Sequence, residues 1–163
     1  MINTGHAKPV AAAEVKAVKK PKVSQNRRKS RELVLKAVYR SMMNASELKQ
    51  VISDAKEDPE YIKADEAYFK QLLDGVTDKT SELDNQISVF IDRKIVELSP
   101  VEHAILRISS FELMFDITIP YRVAINEGVE LAKLYGGVDG HKYINGVLDK
   151  IAAHARPQEF RRQ

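Results

Sequence analysis

The sequence contains no cysteine and no tryptophan, and only seven of its 163 residues are glycine. Without cysteine the chain has no disulfide framework, no thiol nucleophile and no thiolate metal site, which fits a reducing compartment. No apolar stretch approaches the roughly 18 residues that a membrane-spanning helix needs. The short run of alanines at 11–13 lies between charged residues and does not form the apolar core of a secretory signal. These absences favour a cytoplasmic protein with no membrane contact.

The sequence motifs of common enzyme classes are also missing. Gly136, Gly137 and Gly140 do not have the spacing of a phosphate-binding glycine loop. The four histidines have no partners at the spacing of a zinc site. Ser109 and Ser110 fall inside a predicted helix, whereas a hydrolase of the strand-to-helix type carries its nucleophile on a sharp turn. We therefore predict a protein with no catalytic residues, no metal and no cofactor.

Positive charge is concentrated at the start of the chain. Residues 1–32 carry nine Lys or Arg and two Glu, a net charge of +7 against +3 for the whole chain, which leaves −4 for the remainder. Residues 1–24 have no large apolar residues at helical spacing, and we predict that they form a disordered basic arm. Such an arm suits a polyanionic partner, or alternatively only keeps the chain soluble.

Apolar residues recur every three or four positions through most of the remaining chain, as in amphipathic helices. We predict an all-α fold of about seven helices and no strands, with a loop at 54–63. Ser24 or Asn26 is suited to cap the first helix, and Ser46 to start the second. We expect the folded domain to cover residues 25–157 and the tail, 158–163, to be frayed.

The clearest local signal is the segment that begins at Ser99. Ser99 is suited to the N-cap, Pro100 to the first helical position and Glu102 to the third, which makes a capping box. The helix that follows is unusually apolar and is predicted to be central. Arg107 lies within it and needs a carboxylate partner if it is buried, for which Glu112 and Glu127 are candidates.

The segment 119–151 is predicted to form two helices joined at a glycine corner. Gly136 and Gly137 can adopt the left-handed conformation that ends a helix, and Asp139 can cap the next one. The start of that second helix presents free N–H groups and the positive end of a dipole, which suit an anion or a phosphate backbone. The alternative is a helical hairpin with a purely structural role.

The predicted first helix carries a basic face. Arg28, Lys36 and Arg40 share one side, and Tyr39 lies beside them. Cations next to an aromatic ring provide phosphate contacts and base stacking in RNA-binding proteins, although many solvated helices carry similar faces.

Several separated sequence blocks follow one another from about Arg27 to Pro157. They are the arginine-rich opening with Ala37-Val38-Tyr39, Tyr68-Phe69 with Leu72-Leu73 and Gly75-Val76, Val101-Glu102 with Leu106-Arg107-Ile108 and Glu112-Leu113, and Ile119-Pro120-Tyr121 through Val123-Ala124-Ile125-Asn126-Glu127, Glu130-Leu131-Ala132-Lys133 and Asn145-Gly146-Val147-Leu148-Asp149. In residues and in order, these blocks resemble the NusB family of transcription antitermination factors. The resemblance implies two small helical bundles packed together and no catalysis.

The resemblance implies a set of partners. Family members pair with a small-subunit ribosomal protein, NusE, and the pair binds the boxA element of nascent ribosomal RNA. With NusA and NusG the complex lets RNA polymerase read through terminators, and some members form homodimers. The RNA-binding positions implied here are Arg27, Arg28, Arg31, Lys36, Tyr39, Lys142, Tyr143 and Asn145. The resemblance further implies that Glu97 and Glu102 receive NusE and that Asp139 modulates affinity.

This sequence departs from the family pattern at three positions. Lys36 stands where glutamine is usual, Ser30 where alanine is common and Gly140 where serine is common. For both Tyr39 and Tyr143, base stacking and core packing remain open alternatives. Two other functions remain as alternatives. One is an RNA-binding accessory domain like that of certain ribosomal RNA cytosine methyltransferases, whose chains continue into a catalytic domain, and the other is a homo-oligomeric helical scaffold.

Overall fold

The computed structural model describes residues 23–45 and 47–161, with side chains from residue 26 onward. Within these ranges the chain forms eight α-helices and two 3-10 turns, with no strand and no helix long and apolar enough to cross a membrane. The helices are α1 (Val23–Asn44), α2 (Leu48–Lys56), α3 (Glu66–Asp78), α4 (Thr80–Phe90), α5 (Pro100–Phe115), α6 (Tyr121–Tyr135), α7 (Gly140–Ala155) and α8 (Pro157–Arg161). The turns are Pro59–Lys63, before α3, and Ile95–Glu97, before α5. The predicted all-α class is confirmed.

Helix α5 is the centre of the fold. It packs against α1 and α3 on one side and against α4, α6 and α7 on the other. Its residues Ala104, Ile105, Leu106 and Ile108 are fully buried. One bundle therefore contains α1, α2 and α3, and the other contains α4, α6, α7 and α8, with α5 shared between them. This arrangement explains why α5 is apolar nearly all round, as its sequence indicated.

The helix starts agree with the sequence at α5 and differ at α1. Ser99 Oγ accepts a hydrogen bond of 3.2 Å from the Glu102 N–H, and Pro100 occupies the first helical position, as predicted. Ser24 and Asn26 are not caps, because α1 already runs from Val23. The predicted helix start at Ser46 lies outside the described residues, and α2 is described from Leu48.

Two segments predicted to be irregular are more ordered than expected. The loop at 54–63 contains the end of α2 and a 3-10 turn, where Asp58 Oδ1 accepts a hydrogen bond of 2.8 Å from the Glu60 N–H. The tail forms α8 up to Arg161, and the Phe160 ring packs 5.2 Å from the ring of Tyr121. The prediction of a frayed tail from 158 is therefore wrong as far as Arg161, and residues 162–163 lie outside the described ranges. So do residues 1–22 of the predicted arm, whereas 23–24 belong to α1.

The corner between α6 and α7 differs from the sequence prediction in its backbone. Gly136 ends α6 in an extended conformation (φ −89°, ψ 179°), and the left-handed residue is Asp139 (φ 64°). Asp139 occupies the N-cap position of α7, but its side chain makes no capping hydrogen bond there. An aspartate tolerates the left-handed region because its short polar side chain reduces the local cost.

Candidate RNA interface

Arg28 is the most exposed arginine of the predicted site on α1, with 52% of its side chain accessible. Its Nε and Nη2 atoms donate hydrogen bonds of 3.1 and 2.8 Å to the two carboxylate oxygens of Glu127 on α6. These bonds and the negative charge of Glu127 raise the pKa of Arg28 above its ordinary value. The guanidinium is therefore at the surface and held in a fixed orientation.

Arg31, one turn further along α1, lies in the core. Its side chain is only 4% exposed, and Nε donates a hydrogen bond of 2.8 Å to Glu112 Oε2 on α5. The Tyr68 hydroxyl donates to the same oxygen. Burial raises the pKa of both Glu112 and Tyr68. The expected RNA contact is not available to Arg31 in this structure, because its guanidinium is buried within an ion pair.

Arg27 lies over the ring of Tyr68, with its guanidinium carbon 4.3 Å from the ring centroid. Its Nε atom is 3.9 Å from Asp65 Oδ2, and about a third of the side chain is exposed. Since the Tyr68 hydroxyl is bonded to Glu112, the ring forms a fixed platform for Arg27. Arg27 and Arg28 thus lie at the surface above a buried support made of Arg31, Tyr68 and Glu112.

The rest of the predicted basic face is partly neutralised. The Lys36 ammonium lies 3.6 Å from Asp58 Oδ2, and Arg40 pairs with Asp54 at the end of α2. Tyr39 is 38% exposed. It lies on the same side of α1 as Arg28, about 16 Å along the helix axis. Like Arg28, Lys36 and Arg40 are therefore paired with carboxylates, and Tyr39 supplies an exposed aromatic ring further along the same face.

The start of α7 carries a second group of predicted residues. Lys142 is 73% exposed, with its ammonium 3.4 Å from Asp139 Oδ1, and Asn145 is exposed as well. Tyr143 is partly buried against the core, and its hydroxyl donates a hydrogen bond of 3.2 Å to Asp92 Oδ1. The Arg93 guanidinium lies 4.4 Å from the Tyr143 ring centroid. One side of the ring is thus covered by a cation that sequence reasoning had not singled out.

Glu102 lies beside the start of α7. A β-carbon at Gly140 would collide with Glu102 Oε2, so glycine leaves the space that this carboxylate occupies. A negative charge at a helix N-terminus is favoured by the dipole. The anion position that the sequence analysis assigned to a phosphate is therefore next to a carboxylate of the protein itself. Where the family has serine, the extra β-carbon needs a different placement of this side chain.

The other predicted partner residue, Glu97, is exposed in the turn before α5. Its Oε1 accepts a hydrogen bond of 2.7 Å from the Lys94 N–H, which stabilises the turn. Glu97 and Glu102 flank Ser99 and lie close together in the chain, so they present two carboxylates around the start of α5.

Helix α6 connects the two groups of predicted RNA-binding residues. The Tyr135 hydroxyl, at the end of α6, donates a hydrogen bond of 3.1 Å to Glu32 on α1. Glu127, two turns earlier, binds Arg28. Sequence reasoning missed these roles. It had assigned Glu112 or Glu127 to Arg107, which instead donates bonds of 2.9 and 2.7 Å to Asp84 on α4.

The profile of the NusB family matches residues 28–153. The chain belongs to the NusB family. The transcription antitermination protein NusB of Methylobacillus flagellatus is 60% identical over 142 residues, which cover 87% of this chain and 92% of that protein. The NusB protein of Pseudomonas savastanoi pv. phaseolicola is 43% identical over 159 residues, 98% of this chain and 92% of that protein.

Solved structures of NusB proteins share the fold. The structure of T. maritima NusB superposes with a TM-score of 0.71 at 29% identity, covering 88% of this chain and 99% of that chain. A structure of the antitermination factors NusB and NusE in complex with double-stranded RNA has a TM-score of 0.69 at 27% identity, covering 78% of this chain and 96% of that chain. The family resemblance and the fold predicted from it are therefore confirmed.

Proposed function

We propose that this chain is an RNA-binding transcription antitermination factor. It pairs with the ribosomal protein NusE, and the pair binds boxA-type RNA in nascent ribosomal RNA transcripts. Together with NusA, NusG and RNA polymerase it promotes read-through of terminators. The proposal is supported by NusB relatives that are named for transcription antitermination and by the similar structure that holds NusB, NusE and RNA. It includes no catalytic step and places the chain in the cytoplasm, where nascent transcripts are made.

One observation supports RNA binding most directly: Arg28 near the start of α1 is exposed, Arg27 beside it is partly exposed, and both are held in fixed orientations. Arg27 rests on Tyr68, and Arg28 is held by Glu127. A planar guanidinium with unused N–H groups matches the oxygens of a phosphate, and prior orientation lowers the entropy lost on binding. We assign Arg27 and Arg28 to phosphate contact and Arg31 to the support beneath them.

The α7 corner is the second part of the proposed RNA surface. Lys142 and Asn145 provide an exposed cation and an exposed amide. Asp139 modulates this contact through its ion pair with Lys142, because the pair must weaken when Lys142 approaches a phosphate. The Tyr143 ring supports the Arg93 guanidinium, which lies over one side of the ring and forms the outer surface of this cation–π pair. On α1, Lys36 adds a partly neutralised cation and Tyr39 a ring for base stacking.

The acidic residues near the start of α5 suit a basic partner. We propose that Glu97 and Glu102 contribute to the NusE surface, since ribosomal proteins that bind RNA carry positive charge. The net charge of −4 outside residues 1–32 fits this assignment. RNA and NusE would then approach adjacent parts of the molecule, because Glu102 lies against Gly140 at the α7 corner.

The test is binding of a short boxA RNA to the full chain, alone and with purified NusE, at two salt concentrations. We expect tighter binding with NusE and a steep loss of affinity at higher salt, because phosphate contacts release counterions. Arg28→Ala and Lys142→Ala should each weaken binding and lower the salt slope by about one. Lys70→Ala is the matched control, since Lys70 is an exposed, paired lysine on α3.

Failure of the folded chain to bind RNA with or without NusE would contradict the proposal. Sedimentation of the same samples, together with the binding data, distinguishes the two alternatives. A tight dimer that does not respond to RNA would favour a homo-oligomeric scaffold. RNA binding that NusE leaves unchanged would favour an accessory domain of the methyltransferase type.

A further inference from the structure

Four charged side chains of alternating sign form a continuous path from the core to the surface. Glu112 on α5 is fully buried and accepts a hydrogen bond of 2.8 Å from Arg31 Nε. Arg31 Nη1 lies 3.6 Å from Glu127 Oε1. Glu127, whose side chain is 13% exposed, accepts both bonds from Arg28. The outermost residue of this path, Arg28, is the best-exposed arginine of the proposed RNA surface.

The contact between Arg28 and Glu127 occupies one edge of the guanidinium. It uses Nε and one N–H of Nη2. A guanidinium has five N–H donors, so the two on Nη1 and the second on Nη2 are outside this contact. Of these, one N–H of Nη1 and one N–H of Nη2 lie parallel along the adjacent edge, and their spacing suits a bidentate contact with two oxygens of one phosphate.

Glu127 is itself held in place. Its backbone is in the middle of α6, which packs on α5 and α7, and its carboxylate is fixed from below by the buried Arg31. A carboxylate held by the scaffold in this way restricts the rotamers of the half-exposed Arg28. Support of this kind from a second residue is how binding sites keep their contact groups in a productive orientation.

We propose that Glu127 is a positioning residue for RNA binding: it orients the free edge of the Arg28 guanidinium toward a phosphodiester group of the RNA backbone. The inference rests on the proposed function. It predicts a change in RNA affinity opposite to the change expected from net charge alone. Because RNA is a polyanion, removal of a nearby carboxylate strengthens binding if only net charge matters. If Glu127 positions Arg28, its removal weakens binding instead.

The experiment measures boxA RNA affinity of the full chain with NusE for Glu127→Gln, Glu127→Ala, Arg28→Ala and the double variant Glu127→Gln with Arg28→Ala. We expect each Glu127 variant to bind about threefold to tenfold more weakly than the wild type, as typical couplings between contacting residues allow. In the Arg28→Ala background, Glu127→Gln should not weaken RNA binding, because the guanidinium that Glu127 orients is absent. Glu130→Gln is the matched control, an exposed carboxylate on the same helix that pairs with Lys133.

A second variant tests the same idea without changing the inner part of the path. Arg28→Lys keeps the charge but cannot make the bidentate contact with Glu127, and we expect it to lose about as much affinity as Glu127→Gln. Thermal unfolding of each variant verifies that it is folded. The inference is overturned if Glu127→Gln binds RNA as tightly as the wild type or more tightly, or if Arg28→Lys binds like the wild type. A wild-type chain that binds no RNA, alone or with NusE, overturns the proposed function together with the inference.

Discussion

Arg28 and Arg31 lie one turn apart on α1, and each donates a hydrogen bond of 2.8 Å to a glutamate. Their surroundings differ greatly. The side chain of Arg28 is half exposed, whereas Arg31 and its partner Glu112 are almost completely buried. The same residue type in the same helix therefore serves two purposes. Contact distance does not distinguish the roles, and burial does.

Burial changes the energetics of an ion pair. An exposed pair keeps much of its hydration, contributes little to stability and can exchange its partner for a ligand. A buried pair has lost its hydration, and removal of one partner leaves an uncompensated charge in a medium of low polarity. Glu112 Oε1 already has no hydrogen-bond partner among the described residues, so this carboxylate depends on the bonds that Arg31 and Tyr68 make to Oε2.

The largest expected effect follows from removal of the buried arginine. Arg31→Ala should lower the free energy of unfolding by about 3–5 kcal/mol, because Glu112 is left buried without its cation. Arg28→Ala should lower it by less than about 1 kcal/mol, because Arg28 is half exposed and Glu127 keeps Arg31 as a neighbouring cation. Urea unfolding at pH 7 measures both values, and RNA affinity is compared only for variants that remain folded.

The double variant Arg31→Met with Glu112→Gln provides the control for this prediction. It removes both charges, keeps an acceptor for the Tyr68 hydroxyl and should recover much of the lost stability. If Arg31→Ala costs no more than Arg28→Ala, burial does not separate the two arginines and the comparison fails. Simultaneous replacement of both arginines would not isolate the RNA contact, because it also removes the support of the core.

A pair of intermediate burial lies between α4 and α5. Asp84 accepts hydrogen bonds of 2.9 and 2.7 Å from Arg107, and Asp84 Oδ1 is 2.8 Å from His103 Nε2. Partial burial opposes ionisation of Asp84, but the bonds from Arg107 and His103 outweigh it and lower the pKa to about 2. Since a quarter of the Asp84 side chain is exposed, we expect its loss to lower the free energy of unfolding by an amount between those expected for Arg28→Ala and Arg31→Ala.

Asp84→Asn should cost about 2 kcal/mol of stability at pH 7. The folded pKa of Asp84 lies below the unfolded value of 3.8, so the contribution is complete above about pH 4 and is lost as the pH falls toward 2. Urea unfolding of the wild type and the variant at a series of pH values measures the difference. A difference that stays constant down to pH 2 would mean that packing, and not the charge of Asp84, is responsible.

The sequence was sufficient for features that depend on local spacing. The cap at Ser99, the apolar stripes of the helices and the central position of α5 all follow from residues within one or two turns of each other. The burial of Arg31 could not be predicted in this way. Arg28 and Arg31 are only 60° apart around an ideal helix, and the packing of α1 on α3 and α5 decides which of them is covered.

The sequence also does not reveal which carboxylate pairs with which arginine. The sequence suggests Glu112 or Glu127 as the carboxylate partner of Arg107, and this assignment is wrong. Glu112 and Glu127 pair with Arg31 and Arg28, which are 81 and 99 positions away in the chain. Helical periodicity shows which side of a helix is apolar but does not specify which helix covers a given side chain. Only the family resemblance pointed to α1 and α7 together.

At the α7 corner, two contacts between distant segments likewise could not be predicted from the sequence. Arg93 lies in the connection between α4 and α5, where no periodic pattern applies, and its contact with Tyr143 depends on how two distant segments meet. The space for Glu102 beside Gly140 likewise follows from the approach of α5 to α7. Sequence spacing alone provides no signal for either contact.

The smallest expected effect concerns Arg93, which differs from Arg28 in its support. Arg28 is held by a carboxylate fixed in a helix, whereas Arg93 rests on the Tyr143 ring and pairs at 2.8 Å with the exposed Asp92 next to it in the chain. Arg93→Ala should leave the free energy of unfolding nearly unchanged, because Arg93 and its partner Asp92 are both exposed. If the outer side of this stack contacts RNA, affinity in the presence of NusE should fall by about twofold to fivefold, as loss of one exposed cation–π support allows.

Two further variants serve as controls for this prediction. Arg93→Lys keeps the charge without the planar stack, and its RNA affinity should lie between those of Arg93→Ala and the wild type. Lys94→Ala changes the next position of the same loop and should bind RNA like the wild type. Equal RNA affinity of Arg93→Ala and the wild type would confine the RNA surface at this corner to Lys142 and Asn145, and the fixed arginines of α1 would then have no counterpart on the other bundle.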